Sequence, residues 1–141
     1  MSGLTMRVLL LHITNGSGHH RASSAIERAL RQLAPSTHVK QVDAFQYTNP
    51  VLARVINQTY MGVLKTKPEV WDYLYDNPKI LRRMRKLREL IHRYNSGKFK
   101  TLIQRVRPDV VACTQAFPCG MVADYKETAG ADLPLVGVLT D

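Results

Sequence analysis

Met6-Arg7-Val8-Leu9-Leu10-Leu11-His12-Ile13, followed by Thr14-Asn15-Gly16-Ser17-Gly18 and His19-His20-Arg21-Ala22, is the stretch on which the fold turns. The first eight residues favour β structure, with only Arg7 and His12 polar, the pattern of a strand buried on both faces. Thr14–Gly18 is a turn cluster. From His19 to Leu33 the apolar residues Ala22, Ala25, Ile26, Ala29, Leu30 and Leu33 recur at three- and four-residue spacing, and Pro35 follows. That spacing predicts an amphipathic helix. His38–Phe45, with Val39 and Val42 apolar, predicts a second strand. Strand, glycine turn, helix and strand in close succession form a βαβ unit, so the two strands run parallel.

Outward from this unit the middle of the chain is helical. Pro50–Leu64 carries Val51, Leu52, Val55, Ile56 and Tyr60, and Pro68–Tyr75 adds Trp71, Tyr73 and Tyr75, expected as packing residues. Asn77 caps the next predicted helix with Pro78 at its first position. Ile80, Met84, Leu87, Ile91 and Tyr94 line one side of it, Gly97 is expected to stop it, and Phe99, Leu102, Ile103 and Val106 mark another helix. The β pattern returns at Asp109–Cys113, helix at Cys119–Thr128, and strand at Leu135–Leu139. The expected fold is a single α/β, Rossmann-like domain over 1–141: a parallel sheet of order 2-1-3-4 with a helical insertion at about 46–107 between strands 2 and 3. Ligands of such sheets bind outside the carboxyl ends of the strands. That places Thr14–His19, Thr114–Pro118 and Thr140–Asp141 around one crevice. Ending at a strand tip, the sequence is expected to be part of a longer chain.

The 141 residues are 45% hydrophobic and 22% charged, an ordinary globular balance. No apolar run approaches the ~20 residues of a membrane span, and Met6–Ile13 is followed by a turn, not a small-residue cleavage site. Cys113 and Cys119 have neither the number nor the spacing of a disulfide framework or zinc site, so a cytosolic, metal-free protein is expected, with Cys113 as inert packing. The charge is concentrated. Between Lys79 and Arg107 eleven basic residues stand against one acid, Glu89, while the whole chain carries +9. Such a segment suits an anionic partner surface, nucleic acid or lipid headgroups, or else a solvated helix face.

The glycine turn carries the chemistry. Gly16 and Gly18 permit positive φ and close backbone approach, and the positive end of the helix favours neutral imidazole at His19 and His20, hence a base or hydrogen-bond acceptor. The alternative, a plain tight turn, explains the glycines but not two adjacent histidines. The stretch is not a dinucleotide fingerprint, since Arg21 stands at the third glycine position, nor a Walker A loop, since no Lys-Ser/Thr follows Gly18. Asp43, ending the second strand, is either a ribose ligand or a capping residue.

Gly16-Ser17-Gly18-His19-His20-Arg21-Ala22-Ser23-Ser24-Ala25-Ile26 resembles the GxGHxxAAxAL signature of the monogalactosyldiacylglycerol synthase family and its bacterial diacylglycerol glucosyltransferase relatives. Lys67-Pro68-Glu69-Val70-Trp71-Asp72-Tyr73-Leu74-Tyr75, Arg107-Pro108-Asp109-Val110-Val111-Ala112-Cys113-Thr114 and Gly137-Val138-Leu139-Thr140-Asp141 follow in the family's order. The resemblance implies the N-terminal, acceptor-side half of a GT-B glycosyltransferase. It also implies an inverting transfer of a hexose to diacylglycerol or a similar lipid, with no metal or cofactor and with a nucleotide sugar, UDP-hexose, bound mainly by a C-terminal domain. His19 aligns with the signature histidine and is the expected catalytic base. Asn15, Gly16, Ser17, Gly18, His20, Gln115 and Phe117 are expected to contact the acceptor. Arg82, Arg83, Arg85, Lys86 and Arg88 are expected to meet an anionic membrane, with the apolar stripe either in the bilayer interface or on the sheet. The implied location is cytoplasmic and peripheral to the membrane, without a nucleic-acid partner. The family often has Thr-His where this chain has Thr114-Gln115, an amide for an imidazole.

Two other readings compete. A basic α/β nucleic-acid-binding domain accounts for Lys79–Arg107 but leaves the glycine–histidine turn idle. A nucleotide-binding oxidoreductase module is disfavoured by the broken fingerprint.

Overall fold

The structure, a computed structural model, describes residues 5–66, 69 and 77–140. Four parallel strands, β1 (Arg7–His12), β2 (His38–Asp43), β3 (Val110–Cys113) and β4 (Leu135–Gly137), form one sheet of order β2-β1-β3-β4. This is the order expected of the Rossmann-like arrangement. β1 is central: Val8 pairs with Val39 on one side and Val110 on the other. Its side chains alternate between two apolar layers. Val8 and Leu10 face helix α1 (Gly18–Leu33), joining Ala112, Ile26 and Leu30. Leu9 and Leu11 face the opposite layer with Phe45, Phe99, Leu102, Val111 and Val122. A run of four aliphatics buried on both sides is why the sequence shows no alternation there.

Between β2 and β3 come α2 (Ala44–Thr48), α3 (Pro50–Thr66) and α4 (Pro78–Val106); α5 (Ala116–Ala129) joins β3 to β4. Several boundaries differ from the sequence reading, each for a local reason. β2 stops at Asp43, not Phe45, because the Asp43 carboxylate caps α2, its Oδ1 accepting the N–H of Phe45 and of Gln46 at 3.0 Å each. Asp43 is therefore a capping residue. Gly97 does not end a helix: α4 runs through it for 29 residues. One glycine costs a helix only ~1 kcal/mol, and the burial of Phe99, Leu102 and Ile103 just beyond it outweighs that cost. The helix ends instead at Arg107, in the left-handed conformation (φ 47°), whose N–H bonds Ile103 O. α5 begins three residues before Cys119, capped by Gln115. β4 ends at Gly137 because its partner β3 ends at Cys113.

Asn77 caps α4 as expected, accepting Lys79 N–H at 3.0 Å. The predicted helix Pro68–Tyr75, with Trp71, Tyr73 and Tyr75, lies outside the described residues apart from residue 69, as do the side chains of Ile80, Met84, Leu87, Arg88, Ile91 and Tyr94. Among the described residues no helix is long and apolar enough to cross a membrane. Leu10 is wholly buried at the centre of the sheet, so Leu10→Ala is expected to lower unfolding free energy by about 2–5 kcal/mol, the range for large-to-small core changes, measured by chemical denaturation.

Candidate active site

The β1–α1 turn is tightly wired. Thr14 (φ 56°) and Gly16 (φ 85°) both adopt left-handed backbone. A Cβ on Gly16 would meet nothing within 4 Å, so the turn requires glycine there for its φ and not for space. Ser17 N–H bonds Thr14 O at 3.0 Å, its hydroxyl donates to Ile13 O at 3.0 Å, and the same oxygen caps α1 by accepting His20 N–H at 3.3 Å. The turn thus delivers His19 and His20 in fixed positions on the first turn of α1.

His19 gathers three strand ends. Its Nδ1 lies 2.9 Å from the Thr114 carbonyl oxygen, beyond β3, and 2.8 Å from Thr140 Oγ1, beyond β4. The Thr114 hydroxyl, in a residue only 1% exposed, donates back to the His19 carbonyl at 2.7 Å. A carbonyl oxygen can only accept, so Nδ1 carries the proton. In the neutral ring Nε2 then keeps its lone pair. The side chain is half-buried. One ring nitrogen is thus held by an acceptor, and among the described residues no hydrogen bond engages the other. The three crevice segments expected from the topology therefore converge on His19; Asp141 lies outside the described residues.

Beneath the turn is a second layer. His12, the last residue of β1 and 3% exposed, stacks on His20 with ring centroids 4.6 Å apart. His12 Nε2 meets Asn15 Oδ1 at 3.1 Å, and His20 Nδ1 accepts Gly16 N–H at 2.9 Å. Gln41 on β2 completes the layer, its amide 3.2 Å from Ser24 Oγ and 3.5 Å from His20 O. Burial pushes the His12 pKa below the ordinary histidine value, with His20 lowering it further while Asn15 and Asp43 pull the other way. In the sequence His12 stands out only as one of two polar residues in the first strand. The available signal was a lone imidazole at the carboxyl end of an otherwise aliphatic strand.

Gln115 and Phe117 stand at the start of α5, directly after Thr114. The Gln115 side chain caps α5 by accepting Phe117 N–H, and the Phe117 ring is buried between Phe45 and His92, 4.5 and 4.6 Å away. Cys113 is buried beside Cys119, and burial raises its thiol pKa far out of the reactive range. Arg82, Arg83, Arg85 and Lys86 are exposed on the first half of α4. A cavity of about 480 Å³ lies between α4 and α5, lined by His92, Phe99, Met121 and Asp124 among others, and none of its walls comes from the glycine turn.

Residues 19–141, from the signature histidine onward, match the family model described as monogalactosyldiacylglycerol (MGDG) synthase. The chain belongs to the MGDG synthase family. Its members are glycosyltransferases acting on lipids. No curated protein and no solved structure matches the chain. Within this MGDG synthase family chain, His19, Thr114 and Thr140 all fall inside the matched span.

The depressed His12 pKa has a thermodynamic consequence. Its folded value lies below its ordinary 6.5, so the unfolded state binds the proton more readily. The corresponding stability is present above about pH 6.5 and is lost as pH falls below it through the folded pKa. His12→Gln is expected to flatten this part of the stability–pH curve, by at most about 1.4 kcal/mol per pH unit for one proton, as read by denaturant melts between pH 5 and pH 8.

Proposed function

We propose that this chain forms the acceptor-side domain of an inverting, nucleotide-sugar-dependent glycosyltransferase that transfers a hexose to diacylglycerol or a similar lipid hydroxyl. The observation that carries the reading is the His19 imidazole, fixed through Nδ1 by the Thr114 carbonyl with Nε2 left as the proton acceptor. In the proposed reaction Nε2 removes the proton of the acceptor hydroxyl as its oxygen attacks the anomeric carbon. The bond from that carbon to the nucleoside diphosphate breaks, with inversion in one displacement. The resulting imidazolium keeps its Nδ1–H on Thr114 O, a charge-assisted hydrogen bond stronger than the neutral one. No metal or cofactor is invoked.

Asn15, Gly16, Ser17 and Gly18 are the proposed wall against which the acceptor headgroup lies. Open space around Gly18 supports this, since a Cβ there would touch nothing within 4 Å. The donor, UDP-hexose in this reading, is bound mainly by a second domain of the GT-B arrangement. Arg82, Arg83, Arg85 and Lys86, exposed together on α4, with Arg88 beside them in sequence, are the proposed contacts with anionic headgroups of a cytoplasmic membrane face.

His19→Ala in the full-length enzyme is expected to lower turnover by ~10²–10⁴, the usual worth of a general base, without unfolding the protein. Turnover within a few-fold of wild type would remove His19 from that role. Separately, combining Arg82→Glu, Arg83→Glu and Lys86→Glu is expected to weaken sedimentation with anionic vesicles, since each basic residue near such a surface contributes about 1 kcal/mol. Undiminished sedimentation would place membrane contact elsewhere.

A further inference from the structure

We propose that His20 is a positioning residue: its Nδ1 holds the Gly16 amide and thereby sets the shape of the turn that presents His19. The proposal rests on the functional reading above only for its effect on sugar transfer.

The local pattern is a variant of a known helix start. In a capping box the N-cap Ser accepts the N–H of the third helical residue, and the side chain of that residue, usually Glu or Gln, reaches back to the N-cap N–H. Here Ser17 accepts His20 N–H as expected. The Ser17 N–H is already bound to Thr14 O, and the His20 side chain reaches one residue further back, to Gly16 N–H at 2.9 Å. His20 thus stands where a carboxylate commonly stands and accepts the same kind of bond without a negative charge. The positive potential at the N-terminus of α1 stays unneutralised beside His19.

The ring is held for this task from below. It stacks on His12 with an interplanar angle of 25°, and His12 in turn meets the side chain of Asn15, next to Gly16. Gly16 cannot hold its own conformation: φ 85° is one of many states open to glycine, and nothing crowds it. Two bonds select that state: Thr14 O with Ser17 N–H closes the turn around Asn15 and Gly16, and the His20 ring holds the Gly16 amide.

The bond requires an unprotonated Nδ1, because a second N–H would face the Gly16 N–H. The titratable groups around His20 are His12 from β1 and Asp43 from β2, which acts on His12, with His19 and Arg21 its neighbours on α1. A proton on His20 would place a cation face to face with the buried His12 ring.

Two substitutions separate the acceptor from the ring. His20→Phe keeps an aromatic ring over His12 and removes the acceptor; His20→Asn removes the ring and keeps an oxygen near the place of Nδ1. Residue-level hydrogen exchange in the full-length enzyme should show protection of the Gly16 amide falling at least tenfold in His20→Phe and recovering in His20→Asn. Turnover should drop in His20→Phe and be at least partly rescued in His20→Asn. Equal Gly16 protection in wild type and His20→Phe would overturn the proposal whatever the activity. Protection that follows the acceptor, in an enzyme that transfers no sugar to lipid, would uphold the positioning role and overturn the functional reading alone.

Discussion

A reciprocal pair of hydrogen bonds joins the start of α1 to the end of β3: the imidazole N–H of His19 reaches the Thr114 carbonyl, and the Thr114 hydroxyl reaches the His19 carbonyl. Both bonds exist only if β1 and β3 are in register, Leu11 opposite Cys113, so that the residues just past each strand end stand side by side. That register is fixed in turn by the two-sided burial of Val8–Leu11, since a slip of one residue would send each side chain to the opposite layer. The site is therefore a readout of the sheet. Its key ring is oriented by backbone that the hydrophobic core has already placed.

The same dependence explains what could be read from the sequence. β1, the glycine turn and the amphipathic face of α1 are local patterns, and the order β2-β1-β3-β4 follows from right-handed crossovers. His19 was legible because the turn and a resemblance both single it out. Less legible were features decided by distant partners. Gly97 lies within α4 because Phe99, Leu102 and Ile103 pack under the sheet, a gain invisible to a window of local propensity. Asp43 was ambiguous between ribose ligand and cap until the N–H groups of Phe45 and Gln46 were seen to occupy it. His12 was hidden because its partners, Asn15, His20 and Gln41, come from three different elements. The sequence contains the imidazole; only the fold supplies its neighbours.

The polar layer under the turn also departs from the usual economy of a core. Burying His12 carries a desolvation cost, seen in its lowered pKa. Stacking on His20 and the bond to Asn15 make the layer specific, because only one loop geometry satisfies these groups together. An aliphatic residue at the end of β1 would pack well and leave Asn15 and Gln41 without that partner. The arrangement exchanges some stability for a defined backbone path at the carboxyl edge of the sheet.

Finally, α4 is an uninterrupted rod. Its 29 residues extend about 43 Å at 1.5 Å per residue, yet its buried side chains among those described, Phe99, Leu102 and Ile103, cluster near its C-terminal end. Further along, His92 braces it to α5, bonded to Asp124 at 2.8 Å and edge-on to the Phe117 ring. A beam seated at one end and braced partway along transmits rotation instead of absorbing it. A force applied at the exposed arginines of α4 would therefore reach the sheet through the turns that carry Phe99, Leu102 and Ile103.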